Sequence, residues 1–147
     1  MVYGKVLNQY KRSNIETAGK LDLILMCYDR AIQLLLQVKG HIREKEQIKK
    51  AHKVKKALDI INELQSCLDM EKGGQIARNL DSLYSYLTKR LLMGDIRKDL
   101  SVYDEAIRIL SELKESWQTI KSEKDHQENA FIKRDMHEAY SPRLTAY

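Results

Sequence analysis

Apolar residues recur three and four positions apart in four separate stretches of the chain, with polar residues between them. In an α-helix this spacing places the apolar side chains on one side, so each stretch predicts an amphipathic helix. The pattern therefore predicts an all-α fold. The predicted helices run from about Leu21 to Lys39, Gln47 to Met70, Gln75 to Met93 and Leu100 to Lys121.

The first predicted helix is apolar around most of its circumference. One stripe includes Leu21, Leu25 and Tyr28, and a second includes Cys27 and Leu34. Such a helix is expected at the centre of the fold, in contact with partners on two faces. The other three helices each carry a single stripe: Ile48, Ala51, Leu58, Ile61, Leu64 and Leu68; then Ile76, Leu80, Leu83, Tyr84, Leu87 and Leu91; then Val102, Ala106, Ile109, Leu110, Leu113, Trp117 and Ile120.

The connections between the predicted helices are short and polar. They are Gly40 to Glu46, Lys72 to Gly74 and Gly94 to Asp99. Short connections make consecutive helices antiparallel, so we expect an up-and-down four-helix bundle. The pair Gly73-Gly74 is predicted to form the turn between the second and third helices, since glycine reaches the left-handed backbone region without a steric penalty.

Two segments flank the predicted bundle. Tyr3 to Lys20 has no clean period, and we expect a short helix or cap there. Ser122 to Glu138 is charged and is expected to continue partly as helix. Ser141-Pro142-Arg143 ends any helix, because the residue before a proline avoids the α region. The last six residues are expected to be mobile. The predicted domains are therefore a bundle over 1–121, including the cap, and a C-terminal extension over 122–147.

Composition narrows the class of protein. The chain has 147 residues, of which 43% are apolar and 32% charged, which suits one domain built from long helices. No unbroken apolar run reaches the roughly 18 residues of a transmembrane helix, and the first ten residues lack a signal-peptide core. We therefore expect a soluble cytoplasmic protein without stable membrane insertion.

The net charge of +5 raises the possibility of nucleic-acid binding. Six lysines lie between Lys45 and Lys56, but some of them recur at helical spacing opposite the apolar stripe, which is typical of a solvated helix face. Aromatic or glycine-rich elements do not interleave with these lysines. A basic helical protein that binds nucleic acid through Lys45–Lys56 is therefore the alternative, and we favour no nucleic-acid partner.

The residues that carry catalysis or bind metals do not form a recognisable pattern. Cys27 and Cys67 lie in apolar helical runs and are expected to be buried, reduced thiols. A carboxylate-bridged two-metal site needs two Glu-x-x-His pairs, whereas Glu123 and His126 form one, in the polar tail. The sequence also lacks a His-Glu-x-x-His motif and a phosphate-binding glycine loop. We expect no enzyme activity, no metal and no cofactor.

Tyrosine dominates the aromatic residues, with eight tyrosines against one phenylalanine and one tryptophan. Tyr10, Tyr28, Tyr84 and Tyr86 lie in or beside the apolar stripes. A tyrosine side chain has an apolar body and a polar tip, so it suits a surface that is alternately wet and covered. As a set, the tyrosines favour a groove that binds an amphipathic helix or an extended apolar peptide.

Two segments and one tryptophan resemble a known family. The first segment contains Asn8-Gln9-Tyr10, Ile15-Glu16-Thr17-Ala18 and Leu21-x-Leu-Ile-Leu-Met-x-Tyr28-Asp29-x-Ala31-Ile32. Its middle reads Leu68-Asp-x-Glu71-Lys-Gly-Gly-x-Ile-Ala77-x-Asn79-Leu80-x-x-Leu-Tyr84-x-Tyr86-x-x-x-Arg90-Leu91. Together with Trp117, these motifs resemble the flagellar secretion chaperone FliS family over about residues 8 to 121.

The resemblance implies a function without catalysis. Members of the family are cytoplasmic bacterial chaperones that bind the disordered C-terminal region of flagellin, prevent its premature polymerisation and assist its delivery to the export gate at the membrane. The N-terminal segment can lie over the groove in the free state, which would make Tyr10 a cap residue. Carried over by position, the flagellin-binding residues would be Tyr10, Ile15, Leu21, Leu25, Tyr28, Tyr84 and Leu87, with Asp29 and Arg90 as polar contacts at the edge.

Overall fold

The structure, a computed structural model, describes residues 17–134 and Tyr147. Throughout this part of the chain the regular secondary structure is helical, which confirms the predicted all-α class. The four helices are α1 (Thr17–Arg43), α2 (Gln47–Ser66), α3 (Met70–Arg97) and α4 (Ser101–Arg134). The predicted cap segment lies in residues 1–16, outside the described residues, and α1 begins four residues before the predicted start at Leu21.

The helices form a four-helix bundle. Three residues separate each helix from the next, so consecutive helices are antiparallel. α1 packs against α2 and α4, and α3 packs against the same two helices from the opposite side. α1 and α3 therefore lie diagonally across the bundle. No helix in 17–134 is long and apolar enough to cross a membrane.

The core lies along the shared axis of the four helices. α1 supplies the largest share, as its two apolar stripes predict. α3 and α4 bury most of their predicted stripes, with Ile76, Ile109 and Leu113 partly buried against the core. The stripe predicted for α2 is partly wrong: Ile48 is 89% exposed, and the helix buries Val54, Ala57 and Ile60 with Ile61 and Leu64. Ile48 and Ala51, at the start of α2, therefore lie on the exposed side of the helix.

The turn between α2 and α3 comes earlier than predicted. α2 ends at Ser66, and residues 67–69 reverse the chain. Asp69 caps α3 by accepting a hydrogen bond from the main-chain nitrogen of Lys72 at 2.9 Å. Gly74 lies inside the first turns of α3 with φ 53° and ψ −129°, and it breaks the helical geometry there. The positive φ predicted for the glycine pair is therefore present at Gly74, where it kinks the chain one turn after α3 begins.

Gly94 was predicted to begin the connection to α4, but α3 continues to Arg97. The reason for glycine is close packing, because a Cβ at Gly94 would lie 2.2 Å from one methyl group of Val102 and 2.9 Å from the other. Val102 is buried and β-branched, so its side chain has little freedom to move away. Gly94 therefore allows the end of α3 to approach the start of α4.

We expect Gly94→Ala to lower the free energy of unfolding by about 1–3 kcal/mol, since it overpacks a filled contact. Gly40→Ala in α1 is the matched control, because its Cβ would meet a single atom, Nη2 of Arg43, at 3.9 Å. In a helix interior that exchange is expected to stabilise by roughly 0.5–1 kcal/mol. Urea denaturation followed by circular dichroism measures both, and shifts in the same direction would contradict the packing argument.

Candidate functional site

Aromatic side chains from three helices meet inside the bundle. Tyr28 of α1, Tyr84 of α3 and Trp117 of α4 are 0%, 0% and 3% exposed. The hydroxyl groups of Tyr28 and Tyr84 form a hydrogen bond, and the Trp117 indole Nε1 donates to the Tyr28 hydroxyl at 3.2 Å. These contacts connect the two diagonal helices, α1 and α3, through the centre of the bundle.

A fourth aromatic residue, Tyr147, completes this group. Its side chain is 6% exposed, its ring lies edge-on to that of Trp117 with 5.1 Å between the centroids, and its hydroxyl forms a hydrogen bond with that of Tyr84. Lys20 of α1 donates from Nζ to the main-chain oxygen of Tyr147. The expectation that the last six residues are mobile is therefore wrong for Tyr147. We call Tyr28, Tyr84, Trp117 and Tyr147 the tyrosine cluster.

The phenols of the tyrosine cluster are held in the neutral form. Burial raises the pKa of Tyr28, and it raises the pKa values of Tyr84 and Tyr147 well above their usual range. A neutral hydroxyl both donates and accepts, so each tyrosine can keep its polar tip satisfied within an apolar interior. Nearby, burial also raises the pKa of the Cys27 thiol to about 11, so this cysteine is a thiol and not a reactive thiolate at neutral pH.

The described members of the predicted apolar site lie in the core of the bundle or against it. Leu21, Tyr28, Tyr84 and Leu87 are buried in the core, and Leu25 is half-buried against it. Tyr10 and Ile15 lie outside the described residues. In this structure Tyr28 and Tyr84 interact with Tyr147, and the described members of the set belong to the core, not to an open surface groove.

The two predicted polar site residues lie on either side of α4. Asp29 pairs with Lys114 at the seam between α1 and α4. Two more ion pairs, Asp22 with Lys121 and Lys39 with Asp104, follow the same seam at spacings of seven and ten residues on both helices. Exposed pairs of this kind contribute about 0–1 kcal/mol each, so their main effect is on the register of the two helices.

Arg90 lies at the other seam, between α3 and α4. Its guanidinium pairs with the carboxylate of Glu105 at 3.0 Å, and the hydroxyl of Tyr86 donates to the same carboxylate. These hydrogen bonds hold the pKa of Glu105 below its usual range. Arg90, Tyr86 and Glu105 thus form a charged, partly exposed group, with Tyr86 43% exposed.

Several exposed apolar side chains were not predicted: Met26 belongs to a predicted apolar stripe, Ile96 lies in the predicted connection between the third and fourth helices, and Leu36 belongs to no predicted stripe. Met26 and Leu36 on α1 are 56% and 51% exposed, and Ile96 near the end of α3 is 75% exposed. The helical period finds such residues, but their neighbours in the folded bundle decide whether they are covered. Isolated exposed apolar residues are common, so these mark contact points only if a partner is shown to use them.

The lysines between Lys45 and Lys56 are partly paired with carboxylates. Lys49 pairs with Glu46 at 2.8 Å, Lys50 with Asp95 at 2.5 Å and Lys55 with Asp59 at 3.2 Å. The positive field of this segment is therefore weaker than a count of its lysines indicates. Within the described ranges, no group of three or more His, Cys, Asp or Glu side chains is placed to hold a metal ion.

Comparison with known proteins gives a consistent result. The model of the family described as Flagellar protein FliS matches residues 3–124. The flagellar secretion chaperone FliS of Vibrio cholerae is 35% identical over 121 residues, covering 80% of this chain and 89% of the relative. Its counterpart in Salmonella typhimurium is 35% identical over 118 residues, covering 80% and 87%.

A third relative, the flagellar secretion chaperone FliSB of Pseudomonas aeruginosa, is 36% identical over 121 residues, covering 79% of this chain and 95% of the relative. The family model spans Tyr28, Tyr84 and Trp117 but stops before Tyr147. The tyrosine cluster therefore combines three residues inside the matched region with one residue beyond it.

Proposed function

This chain belongs to the FliS family of flagellar secretion chaperones, and from that premise we propose that it binds the disordered C-terminal region of flagellin in the bacterial cytoplasm. Binding would prevent premature polymerisation and assist delivery to the export apparatus at the membrane. The observation that carries the proposal is the tyrosine cluster, where helices α1, α3 and α4 together accept an aromatic side chain from outside the four helices.

The mode of binding follows from the chemistry of the bundle. A disordered segment pays for its ordering only on binding, so it can cover a large surface at moderate affinity. We propose that the segment contacts the walls formed by Tyr10, Ile15, Leu21, Leu25, Tyr28, Tyr84 and Leu87. Asp29 and Arg90, on the two seams of α4, would hold its polar groups. Binding of this segment involves no covalent step, so the proposed role is that of a binding protein and not of an enzyme.

The test is calorimetric titration of the protein with a peptide from the C-terminal region of flagellin. We expect a complex of equal stoichiometry and a gain in helical circular dichroism. Arg90→Ala is expected to weaken binding about tenfold, since arginine is frequently among the few residues that contribute most of the binding energy of an interface.

The matched control for that variant is Arg108→Ala. Like Arg90, Arg108 pairs with a glutamate, Glu112, which lies one turn away on α4. The Arg108 side chain is 61% exposed. We expect it to bind like the wild type. Failure of the unmodified protein to bind any C-terminal flagellin peptide would remove the proposed function, whereas equal binding by both arginine variants would remove only the role of Arg90.

A further inference from the structure

Tyr147 occupies a site formed by side chains from three helices of the bundle. The site has an aromatic wall from Trp117, a polar end from the Tyr84 hydroxyl and a cation from Lys20 that binds the main-chain oxygen. Each of these groups lies on a different helix: α4, α3 and α1. One residue thus makes ring, hydroxyl and main-chain contacts that a peptide aromatic residue from another chain would make equally well.

We propose that Tyr28, Tyr84, Trp117 and Lys20 form a binding site for one aromatic residue, which Tyr147 fills in the free protein and must leave when cargo binds. Tyr147 is then an internal competitor that lowers the affinity for cargo. The identity of the competing ligand rests on the proposed function, while the occupancy of the site by Tyr147 does not.

The physical basis is a competition between two similar ligands. Tyr147 is attached to the protein, so it reaches the site without the loss of translational freedom that a separate peptide suffers. The apparent dissociation constant of a ligand rises as the fraction of protein with a free site falls. If Tyr147 occupies the site about nine-tenths of the time, removing its side chain tightens cargo binding about tenfold.

Occupancy is measured first, without cargo, in the full chain. Trp117 is the single tryptophan, so its fluorescence reports this site directly. We expect Tyr147→Ala to shift the Trp117 emission to longer wavelength and to increase quenching by acrylamide. Added p-cresol, which is the tyrosine side chain without its backbone, is expected to reverse both changes in the variant and to leave the wild type unaffected.

Two variants serve as controls for occupancy. Tyr147→Phe keeps the ring against Trp117, so its emission is expected to stay close to that of the wild type, and it provides a test even if Tyr147→Ala folds poorly. Tyr86→Ala makes the same exchange on the exposed face of α3, and its emission is expected to be unchanged. Wild-type emission and quenching in a folded Tyr147→Ala variant would overturn the proposal.

Competition is then measured by titration with the flagellin C-terminal peptide. We expect Tyr147→Ala to bind about three- to tenfold more tightly than the wild type, and Tyr147→Phe to show a smaller gain. Unchanged or weaker binding by Tyr147→Ala would overturn the competition, because Tyr147 would then be neutral or a contact for cargo. If no variant binds the peptide, the proposed function fails, and the p-cresol titration still decides whether the aromatic site exists.

Discussion

We expect Tyr84→Ala to lower the free energy of unfolding by about 3–5 kcal/mol, the range for removal of a large buried aromatic side chain. Tyr84 is fully buried on α3, so the exchange leaves a cavity near the axis of the bundle. It also removes the hydrogen-bond partner that the Tyr28 and Tyr147 hydroxyls share. Urea denaturation monitored by circular dichroism measures the loss as a lower midpoint at an unchanged slope.

Tyr86→Ala is the matched control for this experiment. It makes the same exchange two residues along the same helix, where the side chain is 43% exposed and bonds to Glu105. We expect it to cost less than about 1 kcal/mol, as most surface exchanges do. Similar losses for the two variants would contradict the placement of Tyr84 in the core and Tyr86 at the seam. Tyr84→Phe, which removes the hydroxyl and keeps the ring, should fall between them.

The contrast between these two tyrosines shows what could be predicted from sequence. The helical period places Tyr84 on the same stripe as Leu80, Leu87 and Leu91, and all four are buried. The four helices, their antiparallel order and the buried faces of α3 and α4 follow from this kind of local regularity. The same rule failed at the start of α2. There the first turn contacts α3 through Lys50, which pairs with Asp95, and Ile48 lies on the exposed side of the helix.

The turns were harder to predict than the helices. Gly73-Gly74 and Gly94 both look like points where the chain leaves a helix, yet α3 contains all of them. Position 74 requires glycine because its φ is positive, and position 94 requires glycine because a Cβ would collide with Val102. A sequence shows that glycine is present, but the packing partner that requires it can lie in another helix.

The candidate site was predictable in part. Tyr28, Tyr84 and Trp117 each belong to a predicted apolar stripe, and the family motifs include them. Their convergence joins α1 to the diagonal helix α3 and to the adjacent helix α4, across 56 and 89 residues of the chain, which a local pattern does not encode. The position of Tyr147 was not predictable, because this residue lies outside every periodic segment and its hydrogen-bond partner Tyr84 is 63 residues away in the chain.

The buried tyrosines also make stability depend on alkaline pH. Burial raises the pKa of Tyr103 to about 12, with a further contribution from Asp95, and it raises those of Tyr28, Tyr84 and Tyr147. The unfolded value is about 10, so above that pH the folded state binds more protons than the unfolded state. Stability is therefore complete below pH 10 and falls as the pH rises towards the raised pKa values.

We expect each such tyrosine to contribute a loss of about 1.4 kcal/mol per pH unit between pH 10 and its folded pKa, so the urea midpoint should fall steeply from pH 9.5 to 11. Absorbance at 295 nm should show the buried phenols ionising together with the loss of helix. Tyr103→Phe removes one of these ionisable groups, so stability should fall less steeply with pH, by about 1.4 kcal/mol per pH unit. A flat midpoint, or phenolate formation with the helices intact, would contradict burial of these tyrosines, because an ionised phenol is not retained without a partner in an apolar interior.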